Sequence, residues 1–205
     1  MKRFASITAI NTSSLRRCWL SSLLLGISLA LSWAANADAA TVIFLKWSDS
    51  SIVGDSTNAR HPGEVVLTSY SQNDSNPVNL VTGNGRGTGR PTCGQITIMK
   101  QIDRSSPEFL SKVFEGSRTS ASVPVTITFE RSAGADAPAF QYYKVQLFEV
   151  AVTSITQNDA QGDTVSETIM LEAARFRFTF TPQGSDGTAG AQVVFGWDCL
   201  ANRAF

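Results

Sequence analysis

The run Arg175-Phe176-Arg177-Phe178-Thr179-Phe180 sets three aromatic rings on one side of an extended chain and polar groups on the other. Side chains alternate across a strand with a period of two, so the run fits a strand with one buried face and suits no helix. The same beat recurs upstream. Val123, Val125, Ile127 and Phe129 alternate with Pro124, Thr126, Thr128 and Glu130, and Tyr143, Val145 and Leu147 alternate with Lys144, Gln146 and Phe148. Further strands are expected over 41–47, 64–70, 95–100, 150–156, 164–173 and 192–199, separated by polar, glycine-rich connections. The fold class is therefore all-β.

One segment departs from the pattern. Ser105 or Ser106 can cap a helix, Pro107 suits its first position, and Glu108 completes a capping box with Ser105. Phe109, Leu110, Val113 and Phe114 then share a stripe, and Gly116 offers the stop. A single short amphipathic helix beside a sheet covers a barrel end or an edge.

The N-terminus carries a different signal. Lys2, Arg3, Arg16 and Arg17 precede an apolar run from Trp19 to Leu31, and Ala37-Asp38-Ala39 offers small residues for cleavage. That is the build of a secretory signal peptide over residues 1–39, cut between Ala39 and Ala40, with Ala35-Asn36-Ala37 as a second candidate site just upstream. The run is shorter than the ~20 residues a spanning helix needs, so no stable membrane insertion is expected. Arg16-Arg17 before Trp19-Leu20 also resembles a twin-arginine address, with Leu15 where Ser or Thr is usual; the general and twin-arginine routes both stay open. The domain that remains is 40–205, secreted or periplasmic, and long enough for one hydrophobic core.

Export alters the charge balance. The whole chain has 17 basic and 17 acidic residues, and residues 1–39 hold four of the first and one of the second. What remains is 13 against 16, a net charge of −3. Nucleic acid or an anionic membrane would require a basic footprint, so neither is expected as a partner. Cys93 and Cys199 survive removal of the signal, and in an oxidising compartment an even pair reads first as a disulfide. Two separate buried thiols are the other reading, because spacing cannot bring the two together.

Catalytic chemistry finds no foothold. The single histidine, His61, lies in the turn His61-Pro62-Gly63-Glu64 with no nucleophile or ligand partner at motif spacing. The glycines at 83, 85, 87 and 89 match neither a phosphate loop nor a dinucleotide fingerprint, and they read as a surface loop. The expectation is a protein that is not an enzyme and binds no cofactor or metal.

Several short segments in fixed order carry a resemblance. They are Ile43-Phe44-Leu45-Lys46, Gly54-Asp55-Ser56, His61-Pro62-Gly63-Glu64-Val65 and Lys100-Gln101-Ile102-Asp103-Arg104-Ser105-Ser106-Pro107 with the helix after it. Gly196-Trp197-Asp198 and Asn202 close the set. Together they resemble the Hcp family, the haemolysin-coregulated tube proteins of type VI secretion, over the whole of 41–205. The resemblance implies a compact antiparallel β-barrel with one short α-helix packed on its side. It implies self-assembly into hexameric rings that stack into a tube, secreted effectors or other secretion-apparatus proteins as further partners, and no catalysis. By analogy the long loop 48–63 would reach a neighbouring subunit or ring through Gly54, Asp55, Ser56, His61 and Gly63. The signal peptide departs from the family, whose tubes assemble in the cytoplasm. The alternative is an exported monomeric binding module that keeps the fold and plays no part in a tube.

Overall fold

The computed structural model describes residues 40–77, 89–131, 139–159, 164–185 and 187–205. The segment expected to be a signal peptide, with Ala39, lies outside the described residues, as does 83–88 of the glycine-rich loop, and Ala40 opens the described chain.

Nine strands and one helix follow one another: β1 (Thr41–Lys46), β2 (Val65–Leu67), β3 (Ser69–Gln72), β4 (Ile96–Gln101), α1 (Ser106–Glu115), β5 (Val125–Arg131), β6 (Phe140–Asn158), β7 (Ser166–Phe180), β8 (Val193–Asp198) and β9 (Arg203–Ala204). Every ladder is antiparallel, in the order β2-β1-β5-β6-β7-β4-β3, with β8 added to the outer half of β7 and β9 to β8. The two ends of this order are neighbours in sequence. β2 and β3 are separated only by Thr68, whose N–H donates to the Met99 carbonyl at 2.8 Å. One stretch of chain thus leaves the edge of β1 and arrives on the edge of β4, so the two ends of the strand order are joined through the chain in a barrel-like sheet.

The expected strands 143–148 and 150–156 form one strand, β6, and 164–173 and 175–180 form one strand, β7. The sequence pattern breaks at Glu149 with the register unchanged, and the bulge of this ladder falls just beyond it at Thr153, between Val152 and Ser154. Glu149 takes a left-handed φ of 54° and drops out of the β6–β7 pairing, as does Ala174 opposite. A bulge bends a strand without ending it. The Ala174 carbonyl, released from that ladder, accepts the Cys199 N–H at 2.9 Å. Val123, read as part of a strand, is exposed and precedes β5.

Inward positions of the strands meet in one core: Leu45, Val65, Leu67, Ile96, Ile98, Val125, Ile127, Val145, Leu147, Val150, Ile169 and Leu171. The helix packs against it. Phe109 is fully buried and meets Trp47 edge to face at 5.5 Å between ring centres. The rest of the expected stripe divides: Val113 packs against the core, whereas Leu110 and Phe114 are exposed, Phe114 at 82%. The capping box does not form either. Ser105 makes no side-chain cap, and its hydroxyl donates to Asp103 instead. Gly116 ends the helix at φ 60°, as its position suggested.

The N-terminus of α1 is fastened by a buried charge cluster. The Lys100 ammonium, with none of its side chain exposed, contacts Glu167 Oε2 at 2.9 Å and Asp103 Oδ1 at 2.7 Å. It also donates to Ser106 Oγ at 2.8 Å and to the Gln101 carbonyl at 3.0 Å. Burial alone would raise the Glu167 carboxyl. Hydrogen bonds from Lys100, Gln157 and Ser106 outweigh burial and hold it below the usual glutamate range.

Candidate assembly interface

The loop 48–63 folds back on the barrel. Gly54 N–H donates to the Gly63 carbonyl at 2.8 Å, Gly63 N–H to the Ser56 carbonyl at 2.9 Å, and Ser56 N–H to the Glu64 carbonyl at 3.2 Å. A Cβ on Gly54 would lie 2.4 Å from the Glu64 carbonyl oxygen, so this close approach admits glycine alone. His61 turns inward: Nδ1 lies 2.8 Å from Glu64 Oε2, Nε2 lies 3.0 Å from Glu130 Oε1, and the ring stacks on Phe44 at 4.2 Å. Arg60 faces the second Glu130 oxygen at 2.7 Å. With both nitrogens engaged by carboxylates and the ring covered, His61 holds the loop to β1 and β5. Asp55 is exposed and paired with Arg104 at the approach to the helix. The backbone hydrogen bond from Arg104 holds its carboxyl below the usual range. Ser56 and Gly63 are partly exposed. The loop's freely exposed tip is 57–60.

A second region was not singled out in the sequence. On β8, Val193, Val194 and Phe195 are 65%, 55% and 51% exposed, so three consecutive apolar residues present both faces of the strand to water. One side of β8 pairs with β7 from Phe180 to Arg175; the other carries β9 opposite Trp197 and Asp198 alone. Val193–Phe195 therefore forms an open strand edge among the described residues. Such an edge templates another strand unless it is charged, bulged or covered. Its signal in the sequence is the loss of alternation at Val193-Val194-Phe195, which reads equally as a strand buried on both faces. β6 supplies another open edge: past Ala151, bridged by Arg118, it has no ladder partner on the side away from β7 among the described residues.

An aromatic file runs across the barrel to β8. Tyr70 meets Phe129 at 5.4 Å, Phe129 meets Tyr143 at 5.3 Å, Tyr143 stacks with Phe178 at 6.1 Å, Phe178 with Phe195 at 6.5 Å, and Phe195 with Trp197 at 6.3 Å. Phe178 and Phe195, and Phe176 and Trp197, are direct cross-strand pairs, the unit that stabilises a sheet surface. Burial, chiefly, pushes the Tyr70 phenol well above its ordinary range, with Tyr143 and Asp74 adding to the effect. At the β8 end the file lines an open groove of about 320 Å³, whose opposite wall is Asp74–Asn76 and Pro91–Cys93.

That wall is where the two cysteines meet: Cys93 and Cys199 are joined, with Cα atoms 6.0 Å apart. Arg90 reinforces the join by donating to the Cys199 and Leu200 carbonyls at 2.8 and 3.0 Å. Among the described residues no group of three His, Cys, Asp or Glu side chains is placed to hold a metal, and no helix is long and apolar enough to cross a membrane.

Barrel, helix and uncovered strand edges define an antiparallel β-barrel protein with one short helix. Three solved structures share the fold. A type six secretion system protein is 23% identical with a TM-score of 0.70, over 81% of this chain and 100% of that one. Hcp1 from Salmonella typhimurium is 19% identical with a TM-score of 0.63, over 81% and 99%. A type VI secretion system effector from Yersinia pestis is 17% identical with a TM-score of 0.57, over 76% and 98%. No curated protein sequence matches. The family model described as "Type VI secretion system effector, Hcp" matches residues 44–180, and the chain belongs to that family.

Proposed function

We propose that this chain is a structural, non-enzymatic ring subunit of the type VI secretion tube class, exported by residues 1–39 and acting in the periplasm or outside the cell. Subunits close into hexameric rings head to tail. The observation that carries the reading is the apolar open edge at Val193–Phe195 on a barrel of the Hcp family. A cyclic assembly requires two different patches on each subunit, and β8 together with the far end of β6 offers two different open edges. The exposed loop tip 57–60, beyond Asp55 and Ser56, faces the next ring. Cargo or other secretion-apparatus proteins are further partners.

Sedimentation velocity on the chain recovered after export tests this. A hexamer at micromolar concentration, returned to monomer by V194K, is the expected result; a strict monomer of the unaltered chain refutes it. N-terminal mass determination on cells and medium separately tests the export step, with Ala40 expected first. A second reading is a monomeric exported binding module. The aromatic groove beside Phe195 and Trp197 favours it, and it is what remains if the chain does not self-associate.

A further inference from the structure

The chain carries both halves of a knob-and-groove contact. Phe114, near the end of α1, is the most exposed large apolar side chain among the described residues, and Leu110 is exposed one turn before it. The groove of about 320 Å³ beside β8 is lined by Phe176, Phe178, Phe195 and Trp197. We propose that Phe114 of one copy of the chain is the anchor seated in this groove on the next copy, with Arg118 of the first facing Asp74 of the second. The inference rests on the ring reading above and adds to it which patch meets which.

Size and chemistry fit. An apolar cavity of about 150 Å³ takes up a benzene ring, so the groove has room for one phenyl side chain. Aromatic pairs prefer offset or edge-to-face contact, and the ring file offers a guest ring both. Phe109 and Val113 fasten the helix to the core, which leaves Phe114 free to serve another surface. An aromatic anchor filling a pocket on its partner is the common form of an interface hot spot.

Each half adjoins one of the two open edges. Helix α1 packs against β6. Just past its end the chain runs along that strand: Arg118 bridges Ala151, and Thr119 N–H donates to the Val150 carbonyl at 2.9 Å. The end of α1 that carries Phe114 thus leads to the point where the open edge of β6 begins. Phe195 belongs both to the open edge of β8 and to the groove. Joining the two edges brings the surroundings of the knob on one copy to those of the groove on the next. The contact pairs two different patches, as a head-to-tail ring requires.

The charges match as well. Asp74, on the far wall of the groove, accepts from Gly94 N–H and from Gln72 Nε2, each at 2.8 Å, and pairs with no cation among the described residues. Arg118 is exposed, and its guanidinium has no partner among the described residues.

The test is sedimentation velocity on the exported chain beside F114A, T92W and F114A/T92W. Thr92 is an exposed residue of the groove wall, and tryptophan there fills the groove. Each single variant is expected to raise the half-assembly concentration at least about tenfold, with thermal unfolding as in the parent. The double variant should lose no more than either single one, because both remove the same contact. A hexameric parent whose F114A or T92W variant assembles equally well overturns the inference and leaves the ring standing, and so do losses that add in the double variant. A parent that stops at a dimer dispersed by F114A keeps the contact and refutes the ring. A parent that is monomeric at every concentration overturns both.

Discussion

Replacing Lys100 by methionine keeps most of its volume and removes a charge that has no exposure at all. The loss is not of one bond. Glu167 Oε2, Asp103 Oδ1, Ser106 Oγ and the Gln101 carbonyl each lose the ammonium as a partner. Glu167, equally buried, keeps Gln157 and Ser106 but is left a carboxylate without a cation. Deleting one partner of a buried pair costs about 3–5 kcal/mol, because the remaining charge is uncompensated. For a chain of this size that lowers Tm by roughly 6–20 °C, at about 2–4 °C per kcal/mol. Differential scanning calorimetry and urea unfolding would both report it. The pH dependence gives a sharper check. In the unaltered protein the depressed Glu167 carboxyl contributes stability that is present above the ordinary glutamate range and is lost as pH falls through its lowered value. In K100M burial acts on Glu167 unopposed by the ammonium, so protonating it relieves the penalty. The gap between variant and parent should narrow from pH 7 to pH 4, and K100M/E167Q should recover most of the loss at pH 7. A deficit under about 1 kcal/mol, or one that does not change with pH, would refute the idea that this cluster holds its charges as a pair.

Two further substitutions probe other joints of the fold. F109A empties the contact with Trp47 that seats the helix on the core and should cost about 3–5 kcal/mol in chemical denaturation, whereas L110A and F114A, on the exposed side of α1, should change stability by less than about 0.5 kcal/mol. G54A drives a methyl group into the Glu64 backbone and should cost about 1–3 kcal/mol, with faster amide exchange across 54–64 as the local signature.

Much of the architecture could be read from alternation alone. Period two marked the strands because each has one face in the core, and the helix announced itself through Pro107 and Gly116. What the pattern hid was continuity. Glu149 interrupts the alternation without ending the strand, since β6 stays paired with β7 in the same register on both sides of it, and a break in alternation looks the same as a loop. The stripe of α1 misled for a related reason. Four apolar residues share a helix face, but the core takes up Phe109 with Val113 at its side, and Phe114 stands in solvent. The edge of β8 was the least legible feature, because apolar residues on both faces of a strand arise from double burial as readily as from an open edge, and only the neighbours of the strand decide between them. The family resemblance, by contrast, rested on ordered short segments, and the family model covers most of them.

The seam at Thr68 limits how far this barrel can deform. Elsewhere around the wall, neighbouring strands meet through hydrogen bonds that can be exchanged one at a time. At the seam the chain itself is the link. A residue reaches at most about 3.6 Å, and the link from Leu67 to Ser69 is a single residue long. The edges of β1 and β4 therefore cannot draw apart unless β2 peels from one or β3 from the other. The girth of the barrel is set there by covalent bonds, so under strain the chain would yield at its open edges first and keep its core packed.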